Sequence, residues 1–142
     1  MISGFFDRRL APRPLVSASI QLPTFGLDWI GVPLVVDTGA EYTCIHASDA
    51  MLRFGIDVSS LNPASWPKSK TIVGVGGSLD YWEVPSRITL QHDHGRLDVI
   101  DGLVLLGPLR SRGVPSLLGL DVLKLFRLEL HGPNQTISLE RP

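Results

Sequence analysis

Eleven prolines and fourteen glycines break this chain of 142 residues into short segments, many of them runs of Val, Ile and Leu. Helix interiors tolerate neither breaker well, whereas short apolar runs bounded by turn residues read as strands. The pattern predicts a mainly β protein with strands near 15–22, 29–37, 71–75, 79–90, 97–106, 126–130 and 136–139. Ile88 and Leu90 on one arm, and Leu97 and Val99 on the next, are expected to face one core from the two sides of a hairpin. Two short helices fit between the strands. Ser48 is placed to cap the segment 49–54, with Gly55 ending it. A second helix should begin near Leu120, where Leu120, Val122, Leu123 and Phe126 recur close to helical spacing. The stretch 62–70, NPASWPKSK, reads as a loop.

The length suggests one domain spanning 1–142, long enough to bury about two-thirds of its unfolded surface without disulfides. At 44% hydrophobic and 19% charged residues, the composition is globular. Thirteen basic against fourteen acidic residues leave a net charge of −1. That gives no basic field for nucleic acid or an anionic membrane, so neither partner is expected. No apolar run reaches membrane-spanning length, and MISGFFDRRLAPRP lacks the apolar core of a signal peptide. The one cysteine, Cys44, lies in an apolar patch and reads as a buried, inert thiol. A reducing, cytoplasmic setting is the expectation.

Residues 34–45, LVVDTGAEYTCI, run an apolar strand straight into Asp37. A carboxylate there is costly unless its charge is satisfied. Asp37, Thr38 and Gly39 are ordinary turn residues, so the segment is either a turn or a catalytic carboxylate held by a tight loop. Gly74, Val75, Gly76, Gly77 and Ser78 form a second glycine cluster. It is no phosphate loop, because Leu79 stands where the third glycine is needed and no Gly-Lys-Ser/Thr follows. It reads as a hairpin tip, with the glycine content that suits a mobile lid. His92, Asp93, His94 and Gly95 read as a polar turn rather than a metal site, with no third ligand placed, and no metal or other cofactor is expected. There is no Gly-x-Ser-x-Gly elbow, and nothing in the sequence pairs Cys44 with a histidine. Late in the chain, Leu117-Leu118-Gly119-Leu120-Asp121 reads as a core strand turning into a helix.

Taken in order, the apolar run into Asp37-Thr38-Gly39-Ala40, the glycine-tipped hairpin and the Leu-Leu-Gly segment resemble the retropepsin-like aspartic proteases. Residues 34–40, 72–79 and 117–123 carry the resemblance, and their spacing covers most of the chain. It implies a single-domain closed β-barrel or sandwich with a flap hairpin and one or two short helices. It also implies that 37–40 form the active-site loop and that Gly74, Val75, Gly76 and Gly77 form a substrate-covering flap. Retroviral members commonly carry an arginine after the late glycine, paired to an acid beyond the catalytic loop. Here Glu41 matches the acid but Leu120 stands in the arginine's place. Trp29, Trp66, Trp82 and the insertion between Ala47 and Lys70 resemble bacterial and cellular relatives more than the compact viral enzymes.

Aspartic proteases use two carboxylates that share a proton and activate a water, the established pattern for that class. This chain has one Asp-Thr-Gly, and Asp101-Gly102 lacks the hydroxyl residue between them. The second carboxylate must then come from a second copy, with Asp37 beside its symmetry mate on a twofold axis. Two unit charges about 4 Å apart repel by roughly 4 kcal/mol at an effective dielectric near 20, enough to hold one proton on the pair in mild acid. By resemblance, Thr38 would bond across the axis. The implied function is an aspartic endopeptidase acting as a homodimer on a peptide or protein substrate. The rival is a catalytically silent module of the same fold that binds peptides or only dimerises.

Overall fold

The computed structural model describes residues 1–7, 12–74 and 77–142. Its strands are β1 (Ile2–Asp7), β2 (Arg13–Leu22), β3 (Leu27–Val36), β4 (Cys44–Ile45), β5 (Lys70–Gly74), β6 (Gly77–Gln91), β7 (Leu97–Leu106), β8 (Leu117–Leu118), β9 (Arg127–His131) and β10 (Thr136–Glu140). The helices α1 (Ala47–Phe54) and α2 (Leu120–Leu123) are short. The protein is mainly β, as the breaker pattern predicts. The strands β1 and β4 fall outside the predicted ones, whereas β8 is the core strand expected at Leu117-Leu118; β4 and β8 are only two residues long.

Strand order is β5-β6-β7-β4-β8-β3-β2-β1-β10-β9, and β6 also pairs with β2. That extra pairing, Ser19 to Thr89 through Gln21 to Arg87, closes β6, β7, β4, β8, β3 and β2 into a ring. Period-2 alternation fills it. Val16, Ala18, Ile20 and Leu22 of β2 point inward, as do Val32, Leu34 and Val36 of β3 and Val84, Ile88 and Leu90 of β6. Phe54 and Ala50 of α1 close one side. Trp82 is buried against Trp66, and its indole N–H donates to the Trp66 carbonyl at 2.9 Å.

One hairpin expectation is corrected. Ile88 and Leu90 are buried, but Leu97 and Val99 are about half exposed. The β6–β7 register pairs Ile88 with Ile100 and Leu90 with Asp98. Directly paired residues share a face, so even positions of β6 meet even positions of β7, and Leu97 and Val99 fall on the outer side.

Helix α1 is also corrected at its start. The cap position is His46, not Ser48, and its side chain makes no capping bond. Serines distant in sequence satisfy the orphan amides instead. Ser116 Oγ accepts from the His46 N–H at 3.0 Å and Ser111 Oγ from the Ala47 N–H at 2.9 Å. The far end follows the sequence: Gly55 adopts a left-handed φ of 68° and closes the helix.

The turn at 92–95 forms between β6 and β7. His92 is buried, and its Nε2–H donates to the Asp98 carboxylate at 2.7 Å. The histidine anchors the turn, and no group of three metal-binding side chains occurs among the described residues. Among them, too, no helix is long and apolar enough to cross a membrane.

Candidate active site

Strand β3 ends at Val36 and delivers Asp37 to an open loop. The Asp37 N–H donates to the Leu118 carbonyl at 3.1 Å, extending the parallel pairing of β3 with β8 by one residue. Its Oδ1 accepts the Gly39 N–H at 2.8 Å, and the Ala40 N–H donates to the Asp37 carbonyl at 3.2 Å. Asp37 is half-buried, while Thr38 and Gly39 are exposed. A side chain at Gly39 would put its Cβ 3.2 Å from Asp37 Oδ1, so the glycine keeps the space the carboxylate occupies. The loop is therefore an Asx-type turn, as turn chemistry suggests, and also a cradle that aims a carboxylate outward.

The late Leu-Leu-Gly segment holds this loop from behind. The Leu120 N–H donates to the Ala40 carbonyl at 2.8 Å and the Asp121 N–H to the Glu41 carbonyl at 3.1 Å. Asp121 accepts from the Thr43 N–H and hydroxyl, and the Gly119 N–H donates to Thr43 Oγ1 at 3.1 Å. Gly119 must lack a side chain, because a Cβ there would lie 2.5 Å from the Tyr42 carbonyl carbon. Leu120 is exposed, and Glu41 makes no side-chain hydrogen bond or ion pair among the described residues.

Strands β5 and β6 form the expected hairpin, pairing Lys70 with Tyr81, Ile72 with Leu79 and Gly74 with Gly77. Gly77 has a φ of 121°, open only to glycine. Val75 and Gly76 lie outside the described residues. Between the hairpin and the loop is a cleft of about 600 Å³, bordered by Gly39, Ala40 and Tyr42 on one side and Ile72, Leu79 and Tyr81 on the other. A second hollow, about 610 Å³, is lined by Ser17, Ser19, Thr89 and Gln91 and touches neither the loop nor the hairpin. His92, Asp93 and Arg53 also line that hollow, whereas Cys44, His46, Lys70 and Tyr81 line the first. Gly39 and Ala40 of the loop border this cleft, Asp37 and Thr38 stand beside them in the same loop, and Gly74 and Gly77 line a smaller hollow that adjoins it along the hairpin.

The floor of the cleft holds His46 and Tyr81, which no sequence motif marks, beside Cys44, the buried thiol expected there. His46 is buried; its Nδ1–H donates to the Pro115 carbonyl at 2.7 Å, and Nε2 accepts from the Tyr81 hydroxyl at 3.0 Å. Burial holds the imidazole below its ordinary value, outweighing the Pro115 bond and the Asp49 charge. Burial likewise pushes Tyr81 up to about 12, so it stays a donor. Cys44 is pushed up to about 12 by burial, with the charges of Asp121 and Asp37 adding to it. Its thiol points to the Tyr42 carbonyl at 3.4 Å and is no nucleophile at neutral pH. Lys70 Nζ sits 4.4 Å from the Tyr42 ring centroid, crossing from hairpin to loop. These contacts join residues 35 or more positions apart or depend on packing, and no local motif announces them.

No protein-family model matches the chain, and no curated protein matches it. Among solved structures it is similar to EIAV protease complexed with the inhibitor HBY-793. The two are 18% identical, the match covers 83% of this chain and 91% of that chain, and the TM-score is 0.49.

Proposed function

We propose that the chain is a single retropepsin-like domain and an aspartic endopeptidase, active as a homodimer in which Asp37 of each copy contributes one carboxylate. The observation that supports this is the Asp37 loop: a half-buried carboxylate bonded by the Gly39 amide, in a loop whose Gly39 and Ala40 border a cleft roofed by the β5–β6 hairpin. In the paired arrangement one Asp37 would be protonated and act as acid. The other would act as base toward a water held between them. The hairpin would cover the peptide and reduce its contact with solvent. Thr38, exposed and unbonded among the described residues, is free to donate across the axis.

A silent peptide-binding or dimerisation module is the second reading, favoured by no observation over the first. Cleavage of a mixed peptide library by wild type and by Asp37→Asn separates them, with mass followed by light scattering. Wild-type cleavage by a dimer, lost on dilution and abolished in a folded Asp37→Asn, is expected. A fully active monomer, or cleavage that survives in Asp37→Asn, overturns the proposal.

A further inference from the structure

The β5–β6 hairpin also borders a smaller hollow of about 330 Å³ that no residue of the Asp37 loop lines. Its wall includes Gly74, Gly77 and Ser78 of the hairpin and Arg110 of the 3-10 turn Leu109–Ser111. Ile72, Leu79 and Tyr81 line both hollows, so they adjoin along one hairpin face. A chain crossing the Asp37 cleft would pass on toward Arg110.

Arg110 is exposed, and its guanidinium has no hydrogen bond or ion pair among the described residues. The other cation lining the cleft, Lys70, is engaged on the Tyr42 ring. No carboxylate among the described residues lines this hollow. Asp80, the acid nearest along the hairpin, alternates to the opposite face and accepts the Thr71 hydroxyl at 2.6 Å. The two glycines and the serine opposite Arg110 leave its donors room to meet a ligand.

We propose that Arg110 is a specificity-determining residue that pairs with an acidic side chain of a bound peptide. This rests on the reading of the cleft as a peptide-binding site. A guanidinium presents a planar fork of donors that fits a carboxylate bidentately. The site is partly open to water, so the preference is modest, roughly two- to fivefold for Glu over Gln. In a twofold dimer Arg110 occurs on both sides of the axis, so the preference falls at one position on each side of the scissile bond.

The test uses full-length Asp37→Asn as a non-cleaving background and fluorescein-labelled peptides with an apolar centre. Glu, Gln or Lys is walked through each flanking position, and binding is read by anisotropy at low and high salt. Glu is expected to bind tighter than Gln at one position on each side, with the difference shrinking at high salt. Adding Arg110→Gln should erase the difference, Arg110→Lys should keep part of it, and Arg110→Glu should turn it toward Lys. Circular dichroism checks that each variant folds. Failure of any peptide to bind, no position preferring Glu, or a preference that survives Arg110→Gln overturns the proposal. Wild-type cleavage of the same peptides is scored in parallel. Acid-selective binding without cleavage defeats the peptidase reading and leaves Arg110's role standing; cleavage without acid selectivity does the reverse.

Discussion

Thr43 and Asp121, 78 positions apart, close on each other behind the Asp37 loop. The Thr43 N–H lies 3.0 Å from Asp121 Oδ1, and the Thr43 hydroxyl donates to the same oxygen at 2.8 Å. Asp121 also accepts its neighbour's Val122 N–H at 2.9 Å. One carboxylate thus ties the loop after Asp37 to the start of α2.

Removing that carboxylate should be felt in stability first. Thr43 is fully buried, so Asp121→Ala strands its amide N–H and leaves its hydroxyl with the Gly119 N–H but no acceptor for its own proton. The expected loss is about 3 kcal/mol, since bonds to charged groups and stranded buried donors each cost on the order of 1–3 kcal/mol. Asp121→Asn, which keeps one acceptor oxygen, should lose less. Urea denaturation of the three proteins measures both. Equal stability of wild type and Asp121→Ala would show that the clamp contributes nothing.

Two glycines should answer differently to the same substitution. At Gly119 a Cβ would meet the Tyr42 carbonyl carbon at 2.5 Å and the Ala40 carbonyl oxygen at 2.9 Å, both backbone atoms. Gly119→Ala should cost about 3 kcal/mol by forcing the loop and helix apart. At Gly74 an added Cβ has nothing within 4 Å, so Gly74→Ala should change stability by less than about 0.5 kcal/mol. Thermal melts of both variants decide it, and similar losses at the two sites would refute the close-approach argument.

The lowered His46 value sets a pH dependence with a definite sign. Unfolded, this imidazole titrates near 6.5; folded, it stays neutral to lower pH because it is buried. The unfolded chain therefore binds the extra proton first. Stability is fully present above about 6.5 and is lost as pH falls from there toward the lowered folded value. His46→Gln removes the titration, so its melting temperature should fall less steeply than wild type between pH 7 and 5. Parallel slopes would mean that other groups set the acid sensitivity.

If Asp37 pairs with its counterpart in a second copy, as proposed, Ala40 offers that pair no hydroxyl. A donor there would favour the charged form of the pair. Ala40→Ser should therefore move the acid limb of the kcat/KM profile to lower pH. The profile of both proteins from strongly acid to neutral pH, with folding checked at each point, measures the shift. A limb that stays or moves upward would remove Ala40 from the tuning of the dyad.

The sequence by itself determined the β class, because proline and glycine limit how far any segment can run and alternation marks the buried face. It also determined the order of loop, hairpin and late glycine segment, and the stop of α1 at Gly55, since those features are local in backbone chemistry. Only the tertiary structure decided what depends on register and distant partners. The parity of the β6–β7 pairing put Leu97 and Val99 outside, although their spacing alone fits either face. The cap of α1 came from Ser111 and Ser116, more than 60 residues away, where local pattern pointed to Ser48. His46 became part of the cleft floor through Tyr81 and Pro115, neither of which is near it in the chain. Side-chain type and spacing act over a few residues, whereas burial and hydrogen-bond partnership across the barrel exist only once the ring has closed.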